Sequence, residues 1–337
     1  MLKNYFPGSA TDLDLARASS LAAIPNGQAK DDGVAVGNAA AAAMVANRAS
    51  DGASAAAQFY MPPSANPGEW QTTPACPPAG GILLHWRDVT PFGIRSSDQF
   101  RSAPPPPLTS SKYTKDYNEV KDVGALTSTA RPQDRTDVAR YFATAVPVQI
   151  WSQAMIQAST AQGKSLPENA RAFALLMMAI SDAFISTFDT KYHYVFWRPI
   201  TAIQAGDTDG NSKTEPDRAW TPCIAPCFPS YPSAHATGSN AGRAIAEKIF
   251  GKEAHNVTLS HPSIPDVTLH YTKFSQISND VDDARVYGGI HFRFDQEAGA
   301  RQGRQVGSYI YKNLLRCIKK NGGCDDDDQD QLRTVQR

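Results

Sequence analysis

The sequence predicts a mainly α-helical protein, a helical bundle with a long proline-rich segment wrapped over its core. Three observations carry this. No stretch alternates apolar and polar residues for the length of a strand, several place apolar residues at helical spacing between start and stop signals, and residues 61–112 hold too many prolines for either element. With 337 residues, 41% of them hydrophobic, the chain is long enough to bury a substantial core.

In chain order, residues 33–49 form an alanine-rich helix stopped at Ser50-Asp51-Gly52. From 61 to 112, Pro62, Pro63, Pro67, Pro74, Pro77, Pro78, Pro91 and the run Pro104 to Pro107 exclude long helices and central strands. The same segment carries Trp70, Trp86, Phe92 and Phe100, large apolar side chains that belong against a core and not on a free linker. Residues 134–159 read as a helix kinked at Pro147, and Pro167-Glu168-Asn169 opens another that reaches Tyr192 or beyond. A loop rich in Gly, Asp, Asn and Pro fills 206–232. Helices follow at 233–250, ending at Gly251, at 278–287, broken by Gly288-Gly289, and at 294–317. The expected organisation is an N-terminal helical and wrapping segment over 1–130, a bundle carrying the chemistry over 131–318, and a disordered acidic tail over 319–337.

Lys plus Arg and Asp plus Glu number 33 each, so the chain has no net charge to attract nucleic acid or an anionic membrane surface. The most apolar run, Ala172 to Phe188, is 17 residues long and interrupted by Asp182, which predicts a core helix and no transmembrane segment. The first residues, MLKNYFPGSATDLD, lack the apolar stretch of a signal peptide. This leaves a cytoplasmic protein, or a secreted or periplasmic one whose leader lies outside this chain; the Asn256-Val257-Thr258 sequon is compatible with the latter. Cys223 with Cys227, and Cys317 with Cys324, are close enough in sequence to close small loops as disulfides, with reduced thiols as the alternative. Zinc would need four convergent ligands, and no histidine stands at finger spacing. The sequence leaves room for a homo-oligomer.

Three segments concentrate cations and histidine beside small residues. In Lys191-Tyr192-His193-Tyr194-Val195-Phe196-Trp197-Arg198-Pro199, the two cations are seven residues apart and would share one helix face. In Tyr231-Pro232-Ser233-Ala234-His235, a helix start offers unpaired N–H groups, a hydroxyl and an imidazole at the positive end of the dipole. In Arg285-Val286-Tyr287-Gly288-Gly289-Ile290-His291-Phe292-Arg293-Phe294-Asp295, an arginine ends one helix, and His291 and Asp295 follow at the start of the next. Together these groups form a receptor for a tetrahedral oxyanion. Arginine forks and a lysine point charge neutralise it, one histidine binds or attacks its central atom, the other moves a proton, and Asp295 orients His291. Taken singly, each cluster would more often be a solvated helix face, a helix cap or a packing residue. A Ser233–His235 hydrolase fails on geometry, because residues two apart point away from each other on a helix.

The joint pattern, Lys191…Arg198-Pro199, Pro232-Ser233-Ala234-His235 and Arg285…His291…Asp295, resembles the signature of vanadium-dependent haloperoxidases and type 2 phosphatidic acid phosphatases. Gly68-Glu69-Trp70, His85-Trp86, Thr90-Pro91-Phe92 and the run from Tyr287 to Phe292 look like the soluble, haloperoxidase-like branch, and the likeness covers most of residues 1–316. The resemblance implies a vanadate cofactor bound by His291, a site that phosphate can also occupy, with His235 as acid–base residue. It implies Lys191, Arg198, Ser233, the Ala234 N–H and Arg285 around the oxyanion, and Phe228 on the halide side. The implied partners are hydrogen peroxide, halide and a small organic acceptor. The alternatives are a vanadate-sensitive acid phosphatase working through a phosphohistidine at His291, or an inactive oxyanion-binding scaffold. Ala234 departs from the usual Gly and brings a Cβ beside the anion, and Phe188 stands where a Trp is expected. Relatives usually carry more helices before the point where this chain begins.

Overall fold

The computed structural model describes residues 1–224 and 226–316, in two compact units that divide after Ala55. The first unit holds α1 (Leu2–Tyr5), α2 (Ala10–Ala22) and α3 (Gln28–Arg48), none of which buries a residue. α3 is the predicted alanine-rich helix, begun earlier, behind Gly27.

The second unit is the helical bundle. It begins with the proline-rich segment, in which a 3-10 turn at Leu84–Asp88 is the main regular element. Trp70 is wholly buried, and Val89 and Ile94 join the core, so the segment does wrap; Phe92 is the exception among its aromatics and stays 38% exposed. Backbone bonds fasten it, from Trp70 N–H to Val195 O (2.7 Å) and from Trp197 N–H to Gly68 O (2.9 Å). Asp182, the charge inside the apolar run, accepts the N–H groups of Phe92, Gly93 and Ile94 at 2.7, 2.8 and 2.9 Å. A buried carboxylate with three such donors is a satisfied one.

α4 (Ser111–Val123) follows, capped by Ser110 Oγ accepting from Tyr113 N–H. It buries Tyr113, Asp116, Tyr117 and Val120 on one face, a stripe that its Lys, Asp and Asn residues hide in the sequence. The predicted kinked helix is two helices, α5 (Gln133–Thr144) and α6 (Pro147–Ala161). Ala145 and Val146 between them are extended. The residue before a proline avoids helical backbone, and Pro147, which has no N–H to donate, fits the first position of a new helix.

α7 (Leu166–Tyr194) starts in a Ser165–Glu168 capping box and runs through the core. By length and composition it alone, among the described helices, is apolar enough to cross a membrane; here most of its residues from Ala179 to Tyr192 are buried in the bundle. α8 (Pro199–Gln204) is short. After the predicted loop comes α9 (Ala234–Phe250), then an antiparallel hairpin of β1 (Val257–Ser260) and β2 (Thr268–Tyr271), too brief for its alternation to register in the sequence. α10 (Phe274–Tyr287) and α11 (Arg293–Asn313) complete the described chain. α11 stops before its predicted end at 317, and the acidic tail with Cys317 and Cys324 lies outside the described residues.

α9 and α11 lie parallel and close. A Cβ on Gly299 would come within 2.7 Å of Ser233 O, one on Gly303 within 2.1 Å of Thr237 O, and one on Gly307 within 2.6 Å of Ala241 O. Glycine every fourth residue on α11 lets the two backbones touch, and the parallel register brings both N-termini to one place. The expected Cys223–Cys227 disulfide is not formed. Cys227 is bonded to Cys76, with Cα atoms 5.3 Å apart, and Cys223 is free and exposed. The wrapping segment runs beside Cys227, with Ile82 N–H on its carbonyl at 2.8 Å, a proximity that sequence spacing does not contain.

Candidate functional site

Lys191 and Arg198 do not share a helix face, as their spacing predicted. α7 ends at Tyr194, Val195 takes a left-handed conformation (φ 49°), and Arg198 becomes the residue preceding α8. A β-branched residue is strained there; the Trp70 N–H on its carbonyl helps hold it. The turn still delivers both cations to one place. Lys191 Nζ donates to Pro229 O (2.8 Å) and Ser230 O (2.7 Å), leaving one of its three protons to offer. Arg198 donates from Nε to Phe228 O (2.9 Å) and from Nη1 to Ile290 O (2.7 Å). The Phe228 ring lies against both, 5.2 Å from Lys191 Nζ and 4.9 Å from Arg198 Cζ, and meets Phe188 edge-on at 5.5 Å. Phe188 thus fills the expected tryptophan position with the aromatic neighbour of Phe228.

The packed N-termini of α9 and α11 supply the opposite side. Ser233 precedes α9, its Oγ accepting from Ala236 N–H (3.3 Å) and its own N–H donating to Asp295 O (3.1 Å). Ala234 is the first residue of α9, in ordinary helical backbone. Its N–H has no carbonyl within the helix to bond, and the position does not call for a glycine's left-handed freedom. His291 Nδ1 lies 2.7 Å from Asp295 Oδ2, which also accepts from Ser230 Oγ at 2.5 Å and Phe292 N–H at 3.3 Å. That network assigns the proton to Nδ1. Nε2 then carries the lone pair and accepts from Arg198 Nη1 at 3.2 Å.

Arg285 is 5% exposed and spans from Phe142 O, which accepts from Nη1 at 2.7 Å, to the cation cluster; its Nε is buried with no acceptor. His235 bonds the Ala145 backbone and feels the field of Arg285, Lys191 and Arg198. All the predicted polar residues therefore converge.

The electrostatics are those of a buried cationic cluster. Burial lowers Arg285 and Arg198 to about 9, and burial with the neighbouring guanidiniums pushes Lys191 well down. Burial and the same cations hold His235 and His291 well below the usual imidazole range, so both are neutral at pH 7. Burial raises Asp295 to about 7, against the Ser230 hydrogen bond and the nearby positive charge.

A profile of the vanadium chloroperoxidase (VCPO) second helical-bundle domain matches residues 171–320. The vanadium chloroperoxidase of Curvularia inaequalis is 26% identical, over 60% of this chain and 44% of that protein. A bacterial vanadium-dependent iodoperoxidase superposes with a TM-score of 0.67 at 28% identity, covering 78% of this chain and 64% of that one. Residues 171–320 thus match that domain, and the chain is similar to vanadium haloperoxidases. It spans less than half the length of the curated vanadium haloperoxidase it matches. A holo-type bacterial vanadium-dependent chloroperoxidase shares the fold, with a TM-score of 0.64 at 17% identity over 82% of this chain and 71% of that one.

In this bundle the motif reading missed Ser230, which bridges Asp295 and lies 3.3 Å from His291 Nδ1. It also missed the carbonyls of residues 228–230, which anchor both cations. Ser230 stands just ahead of Tyr231-Pro232, and its adjacency to the second motif was the available signal.

Proposed function

We propose that this chain is a vanadium-dependent haloperoxidase, oxidising halide with hydrogen peroxide at a vanadate held by His291 and halogenating organic molecules. The observation that supports this reading most is the pairing of a neutral His291, its Nε2 lone pair turned inward, with three buried cations. The donor set fits a tetrahedral oxyanion. Arg285 Nε is buried without an acceptor, one Lys191 proton is uncommitted, and two helix N-termini point inward. Negative charge placed among groups that burial and mutual repulsion hold below their ordinary pKa would relieve both effects.

His291 Nε2 would hold the vanadate, and Asp295 keeps the imidazole proton on Nδ1. Lys191, Arg198, Arg285, Ser233 and the Ala234 N–H bind and orient the oxyanion oxygens. His235, neutral at pH 7, would be the group that accepts a proton from hydrogen peroxide beside the bound oxyanion. Phe228 and Phe188 form the apolar wall on which halide approaches. Bound vanadate supplies Lewis acidity toward peroxide without changing its own oxidation state.

The test is dye bromination with vanadate, peroxide and bromide, run beside hydrolysis of a phosphomonoester. Bromination that needs added vanadate supports the proposal. Vanadate-inhibited hydrolysis without bromination would mark a phosphatase, and neither activity in a folded protein would mark a scaffold.

A further inference from the structure

Three side chains, one each on α9, α10 and α11, hold polar atoms that are buried and have no hydrogen-bond partner: Ser239 Oγ, Asp282 Oδ1 and both amide atoms of Gln296. Helix register places them. Arg243 on α9 donates to Ser278 Oγ on α10 at 3.3 Å, and His235, at the start of α9, lies in the field of Arg285, near the end of α10. The two helices therefore run antiparallel, and Ser239, one turn past His235, falls at the level of Asp282. Asp282 precedes Arg285 by three residues, a rise of about 4.5 Å along α10. Gln296, 1% exposed, follows Asp295 in the first turn of α11, and Arg304 further along that helix reaches Asn240 of α9 at 3.0 Å. The seam between the three helices thus carries carboxyl, hydroxyl and amide groups from the half-buried Asp282 to the edge of the site. A buried water needs two to four polar partners, and these atoms can supply them.

The charged groups around Asp282 are spent elsewhere. Arg243 pairs with Glu247 on its own helix, and Arg304 donates to Asn240. Arg293 on α11 pairs with Glu119 of α4 and with Asp283, while Arg135 of α5 holds Asp280 and Asp283. Burial therefore prevails over these neighbours and raises the Asp282 carboxyl to about 8, so it carries its proton at pH 7.

We propose that Asp282 is the proton-entry residue of this site, supplying it through water held in the seam by Ser239 and Gln296. The proposal rests on the haloperoxidase reading and adds how that site receives its protons. Hydrogen peroxide, halide and one proton give hypohalous acid and water. Halide gives up two electrons, the oxygen–oxygen bond breaks, a halogen–oxygen bond forms, and the proton goes to the oxygen that leaves as water. Each turnover thus consumes a proton, and three buried cations repel one that arrives from solution as hydronium. A neutral carboxyl brings the proton close without bringing a charge. Asp282 then passes it along the seam and takes another from solvent.

Bromide oxidation is followed from acid to alkaline pH in the parent, Asp282→Asn, Asp282→Glu and Ser239→Ala, with vanadate affinity measured on each by spectroscopic titration. The carboxyl itself is read without vanadate, from the protonated-carboxyl band in the infrared difference between the parent and Asp282→Asn. That band should be present at pH 7 and disappear as pH rises through about 8. Asp282→Asn should lower kcat at pH 7 at least tenfold, with vanadate affinity and the KM for peroxide unchanged. Asp282→Glu should restore most of that loss, and Ser239→Ala should lower kcat several-fold. Unchanged turnover in Asp282→Asn or in Ser239→Ala, a fall matched by an equal loss of vanadate affinity, or a carboxyl ionised at pH 7 would overturn the proposal. A parent that oxidises no halide would overturn the proton-entry role through the haloperoxidase reading, and is distinguishable because the infrared band would persist.

Discussion

The two sides of the site are held by different physics. The side made by Ser233, His235, His291 and Asp295 rests on helix packing, with α11 glycines pressed against the α9 backbone. The side made by Phe228, Pro229 and Ser230 rests on loop chain, pinned by cation-to-carbonyl bonds and by the Cys76–Cys227 disulfide. The packed side fixes where the two histidines sit. The loop side fixes where the charges sit, and it depends on residues far away in sequence. The difference teaches that one cluster of polar side chains can draw its rigidity from two independent sources, each separately breakable.

The largest effect should come from the packed side. Gly303→Ala places a methyl where Thr237 O already lies, with rigid backbone on both helices. A loss of about 4 kcal/mol in urea unfolding is expected, typical of severe overpacking; an unchanged midpoint would refute backbone contact as the basis of this side. On the loop side, Cys76→Ser with Cys227→Ser should cost about 2–4 kcal/mol, the usual range for a disulfide. It should also weaken vanadate affinity, read by spectroscopic titration, because the loop carries the carbonyls that hold Lys191 and Arg198. Stability lost with affinity intact would show that the loop holds itself.

Ser230→Ala joins the two sides. It removes a hydrogen bond to a buried carboxylate and should lower vanadate affinity by about tenfold, from roughly 1.5 kcal/mol, with little change in melting temperature. The smallest effect concerns pH. His235 is held neutral in the folded protein, so the unfolded chain takes up a proton below pH 6.5 that the folded chain does not. Its stabilising contribution is therefore present above pH 6.5 and falls away below it, by about 1.4 kcal/mol at pH 5.5. His235→Gln should flatten the decline between pH 7.5 and 5.5 by that amount, and an unaltered slope would place the imidazole in water.

Legibility followed the same divide. α7, α9 and α11 and the convergence of Lys191, Arg198, Ser233, His235, Arg285 and His291 could be read because caps, apolar spacing and motif order are local signals. α4 was hidden because polar residues surround its buried tyrosines, and the hairpin because four-residue strands carry too little pattern. The Cys76–Cys227 bond, Ser230's bridging role and the route by which Arg198 meets Lys191 arise from long-range packing. The Val195 turn shows this most directly: seven residues measured along a helix were a sound distance for a helix that in fact stops after three.

The burial of Lys191, Arg198 and Arg285 also bears on ionic strength. An exposed basic patch acts through solvent and is screened within about 8 Å at physiological salt. These three side chains are at most 5% exposed, so mobile counterions cannot surround them. Their pull on an anion should persist in inert electrolyte concentrated enough to silence the exposed Lys3–Asp14 and Arg218–Asp207 pairs. A chain neutral overall thus keeps a local charge that salt does not erase.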